Sequence, residues 1–182
     1  MTPSPPTPGQ RIAIVGTTGS GKTTLARQLA ERLNLRHVEL DALHWGPNWT
    51  EPPPDEFRQR VSAALNGQCW VVDGNYGKAR DIIWGQADCL IWLDYSLPLI
   101  WSRLFRRAMH RIRHQEELWG GNRESWRGQF FSRDSLFLFA LTSRRRHHRD
   151  YPELLARPEY AHLQVYRQRS PRETEHWLQA VE

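Results

Sequence analysis

Residues 16–23 read Gly-Thr-Thr-Gly-Ser-Gly-Lys-Thr, and this stretch decides the fold. It fits the pattern G-x-x-x-x-G-K-[ST], a glycine-rich loop whose backbone amides can surround a phosphate group. The apolar run 11–15 before it predicts a buried strand, and Leu25, Leu29 and Leu33 after it recur at helical spacing. Strand, loop and helix in this order form the context that the motif requires.

The chemistry of this loop indicates nucleotide binding. Its three glycines permit backbone angles that other residues avoid, so successive N–H groups can point into one concavity. The positive end of the following helix dipole lies there too and favours an anion. Lys22 can reach the β- and γ-phosphates of ATP, and the Thr23 hydroxyl can bind Mg²⁺. The residues predicted to contact the nucleotide are Gly16, Thr17, Thr18, Gly19, Ser20, Gly21, Lys22, Thr23 and Thr24.

Length and composition predict one compact domain. A chain of 182 residues with a 39% hydrophobic fraction is near the size that a single core stabilises. Residues 1–10 contain four prolines and predict a disordered tail before a single domain of residues 11–182. This tail lacks the pattern of a secretory signal, and no apolar run approaches the ~18 residues of a membrane span. Cys69 and Cys89 each begin an apolar run, which favours two buried thiols in a reducing compartment. We therefore expect a cytoplasmic protein.

Strand and helix patterns alternate along the rest of the chain. Further strands are predicted at 36–40, 69–72, 89–93 and 163–166. Helices are predicted at about 22–33, 55–66, 78–84, 97–112, 132–149 and 172–181. This order predicts an α/β fold of three layers, with a five-stranded parallel sheet covered by helices on both faces. Ligands of such sheets bind outside the carboxyl ends of the strands.

Three aspartates follow predicted strands at that edge: Asp41, Asp73 and Asp94. Asp73 is the best candidate to hold Mg²⁺ beside Thr23, because an aspartate after four apolar residues is typical of such a carboxylate. Asp94 competes for this role, and Asp41 suits the acceptor side better. Aspartates at strand ends are also often turn or capping residues, so each of them has a structural alternative.

The positive charge of the chain is concentrated in one segment. Residues 103–149 contain twelve arginines and four acidic residues, a balance of +8, whereas the whole chain is only +5. Arginine-rich segments bind phosphates, either of a nucleotide or of a nucleic acid. The segment therefore predicts an anionic ligand without choosing between these two.

Several stretches resemble the adenylate-kinase-like branch of P-loop proteins. They are GTTGSGKTTLARQLAERL (16–33), LDALHWGPNW (40–49), WVVDGNYGKARD (70–81) and IWLDYSLPLIWSRLFRRAMHR (91–111). Within this branch the chain is most similar to a small bacterial family labelled DNA topology modulation protein. The resemblance spans about residues 11–180 and implies a P-loop NTPase fold, an ATP site and an arginine-rich helical lid at about 103–150.

The resemblance also identifies acceptor-side positions, and here the chain departs from nucleoside-monophosphate kinases. His44 stands where those kinases hold the acceptor phosphate with an arginine, and Gly77 replaces a second basic residue. These departures argue against AMP-type acceptors unless Lys78 or Arg80 substitutes. Trp45 is able to stack on a planar ring or to pack beneath the proline-rich loop. The predicted substrate residues are Asp41, His44, Trp45 and Arg80.

Lid arginines would stabilise the charge of a transferred phosphoryl group. Arg107, with Arg103 one helical turn earlier, is the preferred candidate on the first lid helix, and Arg145 represents a second cluster. Each of these arginines has the alternative of lying on a solvated helix face. The predicted catalytic residues are Lys22, Asp73, Arg107 and Arg145, with Thr23 and Asp73 as ligands of Mg²⁺.

Two function classes follow. The first is a Mg²⁺-ATP-dependent phosphotransferase, a kinase for a small molecule such as a nucleotide or nucleoside. The alternative is a nucleotide-gated nucleic-acid-binding protein or DNA topology modulation ATPase. In that case the aromatic residues among the arginines would stack on bases. These aromatic residues are Trp119, Trp126, Phe130 and Phe131. A bare ATPase whose lid docks a partner is a third, weaker option.

Overall fold

The computed structural model describes residues 9–115, 117–122 and 136–181. These residues form one sheet of five parallel strands. The strands are β1 (Arg11–Gly16), β2 (Arg36–Glu39), β3 (Trp70–Asp73), β4 (Cys89–Leu93) and β5 (Gln164–Gln168). Their spatial order is β2-β3-β1-β4-β5, so β1 lies at the centre and delivers the phosphate loop between β3 and β4. The predicted five-stranded parallel sheet is confirmed.

Seven α-helices connect or follow these strands within the described residues. They are α1 (Lys22–Leu33), α2 (Leu40–His44), α3 (Pro54–Ala64), α4 (Arg80–Gln86), α5 (Leu97–His114), α6 (Leu136–Leu155) and α7 (Pro171–Ala180). Short 3-10 turns occur at Pro47–Trp49, Gly77–Ala79, Trp119–Gly121 and Pro158–Tyr160. The sequence pattern missed α2, because five residues are too few to show a helical period. As a result Asp41 lies in the first turn of α2 rather than at the end of β2.

Side chains of β1 alternate between two cores, one on each face of the sheet. Ala13 and Val15 join a cluster with residues of α3, α4 and α6, whereas Ile12 and Ile14 join a cluster with α1, α5 and α7. Burial of each large apolar side chain contributes about 1.5–3 kcal/mol. The two cores therefore hold β1 rigidly and fix the position at which the phosphate loop leaves the sheet.

Of the two cysteines that were predicted to be buried, one is buried and one is exposed. Cys89 is buried in β4, and burial raises the pKa of its thiol to about 12. The prediction that Cys69 is buried is wrong: it precedes β3, outside the sheet ladder, and is exposed near Gln10. Among the described residues no helix is long and apolar enough to cross a bilayer. Residues 1–8 of the predicted tail lie outside the described residues.

Candidate phosphate-binding site

The loop between β1 and α1 packs so closely on its neighbours that two positions admit only glycine. A Cβ at Gly16 would lie 2.6 Å from the carbonyl oxygen of Leu93 in β4. A Cβ at Gly19 would lie 2.7 Å from Leu104 in α5, and the φ angle of Gly19 is +79°. The sequence therefore folds the loop tightly over the edge of the sheet.

Lys22 is folded back over this loop. Its Nζ donates hydrogen bonds to the carbonyl oxygens of Gly16 (3.0 Å) and Thr17 (3.3 Å). Burial lowers the pKa of Lys22, an effect that the nearby carboxylates of Asp41 and Asp73 oppose. Ser20 Oγ in the same loop is buried and has no hydrogen-bond partner among the described residues. A partly buried ammonium group and an unpaired hydroxyl in the same loop fit the oxygens of a polyphosphate.

Asp73 lies at the end of β3, directly beside the start of α1. The Thr23 hydroxyl donates to Asp73 Oδ2 at 2.7 Å, and His37 Nε2 of β2 lies 2.7 Å from Oδ1. Asp73 is only 4% exposed. A hydroxyl and a carboxylate in contact are oxygen ligands of the kind that Mg²⁺ prefers, so the donor set fits the predicted metal.

Asn75 holds the loop to the end of β3, and the sequence reasoning missed it. Its Oδ1 accepts a hydrogen bond from the Gly16 amide at 3.0 Å, and its Nδ2 donates to the Gly16 carbonyl oxygen. The side-chain amide thus continues the pairing of β3 with β1 by one more position. The only sequence signal was its place in the stretch DGNY at 73–76.

Asp94, which follows β4, has different neighbours. Its Oδ2 accepts hydrogen bonds from Arg167 Nη2 (2.6 Å) and Nε (3.0 Å), and its Oδ1 contacts His148 Nε2. Arg144 Nη2 lies 3.6 Å from Oδ1. Both oxygens are therefore engaged with basic side chains of β5 and α6.

On the acceptor side, Asp41 accepts a hydrogen bond from the Tyr76 hydroxyl at 2.6 Å. His44 is buried among the rings of Trp45, Phe57 and Tyr76, at centroid distances of 4.7, 5.1 and 4.5 Å. Burial lowers the pKa of His44, an effect that the carboxylate of Glu51, 3.5 Å from His44 Nε2, opposes. Trp45 also packs edge-to-face on Trp49 at 5.5 Å.

A cleft of about 830 Å³ lies between the loop, the ends of β2 and β3, and α5. It brings together Lys22, Thr23, Asp73, Asp41 and Arg107, but His44, Trp45 and Arg80 are not among its lining residues. The guanidinium group of Arg80 lies instead over the Trp84 ring at 5.3 Å.

The arginines of α5 and α6 divide by helical position. Arg103 and Arg107 line the cleft, and Arg103 Nη1 donates to the Ser20 carbonyl oxygen at 2.7 Å, whereas Arg106 is exposed. On α6, Arg144 donates to the Tyr95 carbonyl oxygen at 3.1 Å. Arg145 is exposed, because the next helical position points about 100° away. The structure does not bring Arg145 to the cleft.

Trp119 lies in the short segment 117–122 that follows α5. It lines the cleft together with Glu39. The aromatic residues of the nucleic-acid hypothesis at 126, 130 and 131 lie outside the described residues.

Residues 12–125 match the AAA domain family AAA_18, and the chain belongs to this family. Its phosphate loop and central parallel sheet are those of a P-loop protein with a kinase-like fold.

Two archaeal proteins named "Putative adenylate kinase" are similar to part of the chain. The protein of Thermococcus kodakarensis is 35% identical over 107 residues, which cover 55% of this chain and 58% of that protein. The protein of Pyrococcus furiosus is 36% identical over 104 residues, which cover 53% and 55%. The match therefore spans less than two thirds of the length of these curated relatives.

Solved structures extend the likeness to nearly the whole chain. A shikimate kinase from Bacteroides thetaiotaomicron superposes with a TM-score of 0.55 at 14% identity and covers 93% of this chain and 94% of that chain. A sugar kinase from Janibacter superposes with a TM-score of 0.51 at 20% identity and covers 94% and 91%. At these identities the comparison establishes the fold alone. The narrower resemblance to the DNA topology modulation family stays a prediction.

Proposed function

We propose that the protein is a Mg²⁺- and ATP-dependent phosphotransferase that acts on a small acceptor. The observation that carries this proposal is the 2.7 Å contact between the Thr23 hydroxyl and Asp73. This pair shares with the partly buried ammonium group of Lys22 a cleft large enough for a nucleotide and a second molecule.

The loop would hold the triphosphate. In this structure Lys22 donates hydrogen bonds to two carbonyl oxygens of the loop. Phosphate oxygens would be stronger, charge-assisted acceptors for the same ammonium group, so exchange of partners favours binding. Arg103 ties α5 to the loop through the Ser20 carbonyl oxygen, which keeps the lid helix beside the bound phosphates.

Thr23 and Asp73 would hold the magnesium ion, and the bound ion would neutralise phosphate charge that builds up during transfer. Thr23 and Asp73 themselves would contribute by fixing the position of the ion. His37 fixes one oxygen of Asp73 and leaves the other directed at Thr23. Asp94 is less suited to this role, because Arg167 already supplies positive charge to it.

Arg107 would stabilise the transferred phosphoryl group from the α5 side of the cleft. Its charge is close enough to Lys22 to lower the pKa of that residue. Two cations directed at one region of the cleft favour a highly charged anion there. We do not assign this role to Arg145, whose side chain is exposed in the present arrangement.

Asp41 would orient the acceptor. In the transfer, an acceptor hydroxyl oxygen forms a bond to the γ-phosphorus, and the bond from that phosphorus to the bridging β–γ oxygen breaks. ADP leaves with the bonding electron pair, and the hydroxyl proton passes to Asp41 and then to solvent. Asp41 is better placed than Asp73 for this role because both oxygens of Asp73 are engaged.

The test is transfer of radiolabelled γ-phosphate from ATP to a panel of nucleosides, nucleotides and sugars. Lys22→Ala is expected to lower the transfer rate at least about 100-fold, since it removes a charge that contacts the transferred group. Arg32→Ala is the matched control, because Arg32 lies on the same helix but contacts Gln179 instead. If no acceptor raises ATP turnover above that of Lys22→Ala, the proposal fails.

The alternative function in nucleic-acid binding has less support from the described residues. Two of the arginines counted for it, Arg103 and Arg144, bind backbone carbonyl oxygens of their own domain. Binding of this kind should weaken steeply with salt. Retention of a labelled oligonucleotide at 50 mM salt and its loss at 200 mM salt would restore the alternative.

A further inference from the structure

We propose, on the basis of the proposed phosphotransferase function, that the acceptor is a small uncharged molecule with hydroxyl groups and that acceptors carrying a phosphate are excluded. Three features of the acceptor end of the cleft support this inference: its negative charge, the local pairing of its basic residues and its aromatic wall.

Three carboxylates lie along one side of the cleft: Glu39 at the end of β2, Asp73 at the end of β3 and Asp41 in the first turn of α2. Asp73 faces Thr23, so the other two remain for the acceptor. A phosphate ester bound against Glu39 and Asp41 would meet charges of its own sign, which disfavours it. A neutral hydroxyl would instead donate a hydrogen bond to a carboxylate oxygen.

Four described basic residues around the loop after α2 and the start of α4 each lie against a partner from the same region. The pairs are Arg58–Asp81 (Nη1 to Oδ1, 2.7 Å), Arg60–Glu56, Lys78–Glu51 (Nζ to Oε2, 3.7 Å) and Arg80–Trp84 (5.3 Å to the ring centroid). On the α5 side, by contrast, Arg103, Arg107 and Arg111 line the cleft, as Lys22 does beside the phosphate loop. Among the described residues, the β2–β3 side of the cleft is therefore acidic and the α5 side is basic.

Asp41 and Tyr76 form a site suited to a hydroxyl group. The Tyr76 hydroxyl donates to Asp41 Oδ1 and thereby fixes the carboxylate, while Oδ2 remains able to accept. Asp41 and Lys22 both line the cleft, and the charge of the Asp41 carboxylate opposes the lowering of the Lys22 pKa. A site of this kind rejects analogues that lack the hydroxyl, because its polar groups are then left unpaired.

Segment 117–122 closes this end of the cleft. Asn122, which is 6% exposed, donates to the Gly46 carbonyl oxygen at 2.9 Å and accepts from the Trp49 amide at 2.9 Å. Trp119 of the same segment lines the cleft with Glu39. The segment thus spans from the lid to the loop after α2 and presents an aromatic wall.

Two kinds of molecule offer a hydroxyl group next to an apolar face: a nucleoside, through its ribose, and a free polyol. The experiment separates the two. Protein saturated with Mg²⁺ and a non-hydrolysable ATP analogue is titrated calorimetrically with nucleosides in one arm and with sugars and cyclitols in the other. Each compound is paired with its own monophosphate.

We expect at least one uncharged compound to bind 10-fold or more tightly than its monophosphate. Tyr76→Phe and Asp41→Asn should each weaken this binding about 10-fold or more, as loss of a recognition hydrogen bond does. Tyr166→Phe is the matched control, because the Tyr166 hydroxyl bonds Gln164 on β5, away from the cleft. The arm that contains the binding compound identifies the source of the hydroxyl.

Two results would overturn the inference: a monophosphate that binds more tightly than its uncharged counterpart, or failure of every uncharged compound to bind. Failure of the proposed function is recorded separately. It would appear as no heat on addition of the Mg²⁺-ATP analogue itself, or as equal heat with Lys22→Ala.

Discussion

Asp73 and Asp94 occupy matching places in the sheet and have opposite surroundings. β3 and β4 flank β1 on its two sides, and each leads into an aspartate at the same edge. Asp73 contacts a hydroxyl and an imidazole, whereas Asp94 contacts Arg167 and His148. The carboxylate of Asp73 can therefore still attract a metal ion, whereas the charge of Asp94 is already neutralised by its basic neighbours. Asp73 is therefore suited to bind a metal ion, whereas Asp94 has a structural role and connects the end of β4 to β5 and α6.

The largest effect that this comparison predicts is on catalysis. Asp73→Asn should lower phosphoryl transfer by about 100- to 1000-fold, because an amide is a weak ligand for Mg²⁺ and metal assistance is worth several kcal/mol. The melting temperature should change little. Transfer rates measured across a Mg²⁺ titration test this prediction, and a rate equal to that of wild type would remove Asp73 from the site.

Asp94→Ala should instead affect stability. It leaves Arg167 and His148 without their carboxylate, and loss of one partner of a buried ion pair costs about 3 kcal/mol where the partners keep some contact with water. Urea unfolding measures this loss. Asp150→Ala is a matched control on α6, because Asp150 pairs with the exposed Arg149. Equal losses in the two variants would contradict the proposed link.

His147, which precedes His148 on α6, makes this side of the fold sensitive to acid. Burial lowers the pKa of His147 to about 4, and the charges of Lys22, Arg146 and Arg80 add to the effect while Asp150 opposes it. The unfolded chain therefore binds more protons between pH 6.5 and 4, and stability falls as the pH falls. The free energy of unfolding at pH 5 is therefore lower than at pH 7 by about 2 kcal/mol.

His147→Gln should remove that loss. The measurement is urea unfolding of wild type and variant at pH 7 and pH 5, and the difference between the two pH values should be smaller in the variant by about 2 kcal/mol. The same pH dependence in both proteins would show that another group carries the acid sensitivity.

The smallest predicted effect sharpens the role of His37. His37→Ala should reduce transfer about 10-fold, the loss typical of residues that orient a metal ligand. The Mg²⁺ concentration for half-maximal rate should rise as well, which a merely structural role would not cause. His176→Ala, on the exposed face of α7, is the control. An unchanged Mg²⁺ requirement would show that His37 contributes only to packing and does not orient Asp73.

Local sequence signals predicted the elements that have long apolar periods or a strict motif. The bounds of β4 and the start of α1 agree with expectation, because each coincides with a change in pattern. α2 was missed, and Asp41 was therefore assigned to a strand end. Asn75 and His37 were missed because no local pattern marks a polar residue whose partner lies 59 or 36 positions away in the sequence.

The sequence by itself determined that a phosphate-binding loop follows a buried strand, since the glycines, lysine and threonine act within eight adjacent positions. It also determined that several carboxylates reach one edge of a parallel sheet. Only the tertiary structure decided which carboxylate meets Thr23, which is neutralised by arginine and how the acceptor end is charged. These outcomes depend on contacts between β2, β3, β5 and α6, and such contacts form only when distant segments pack together.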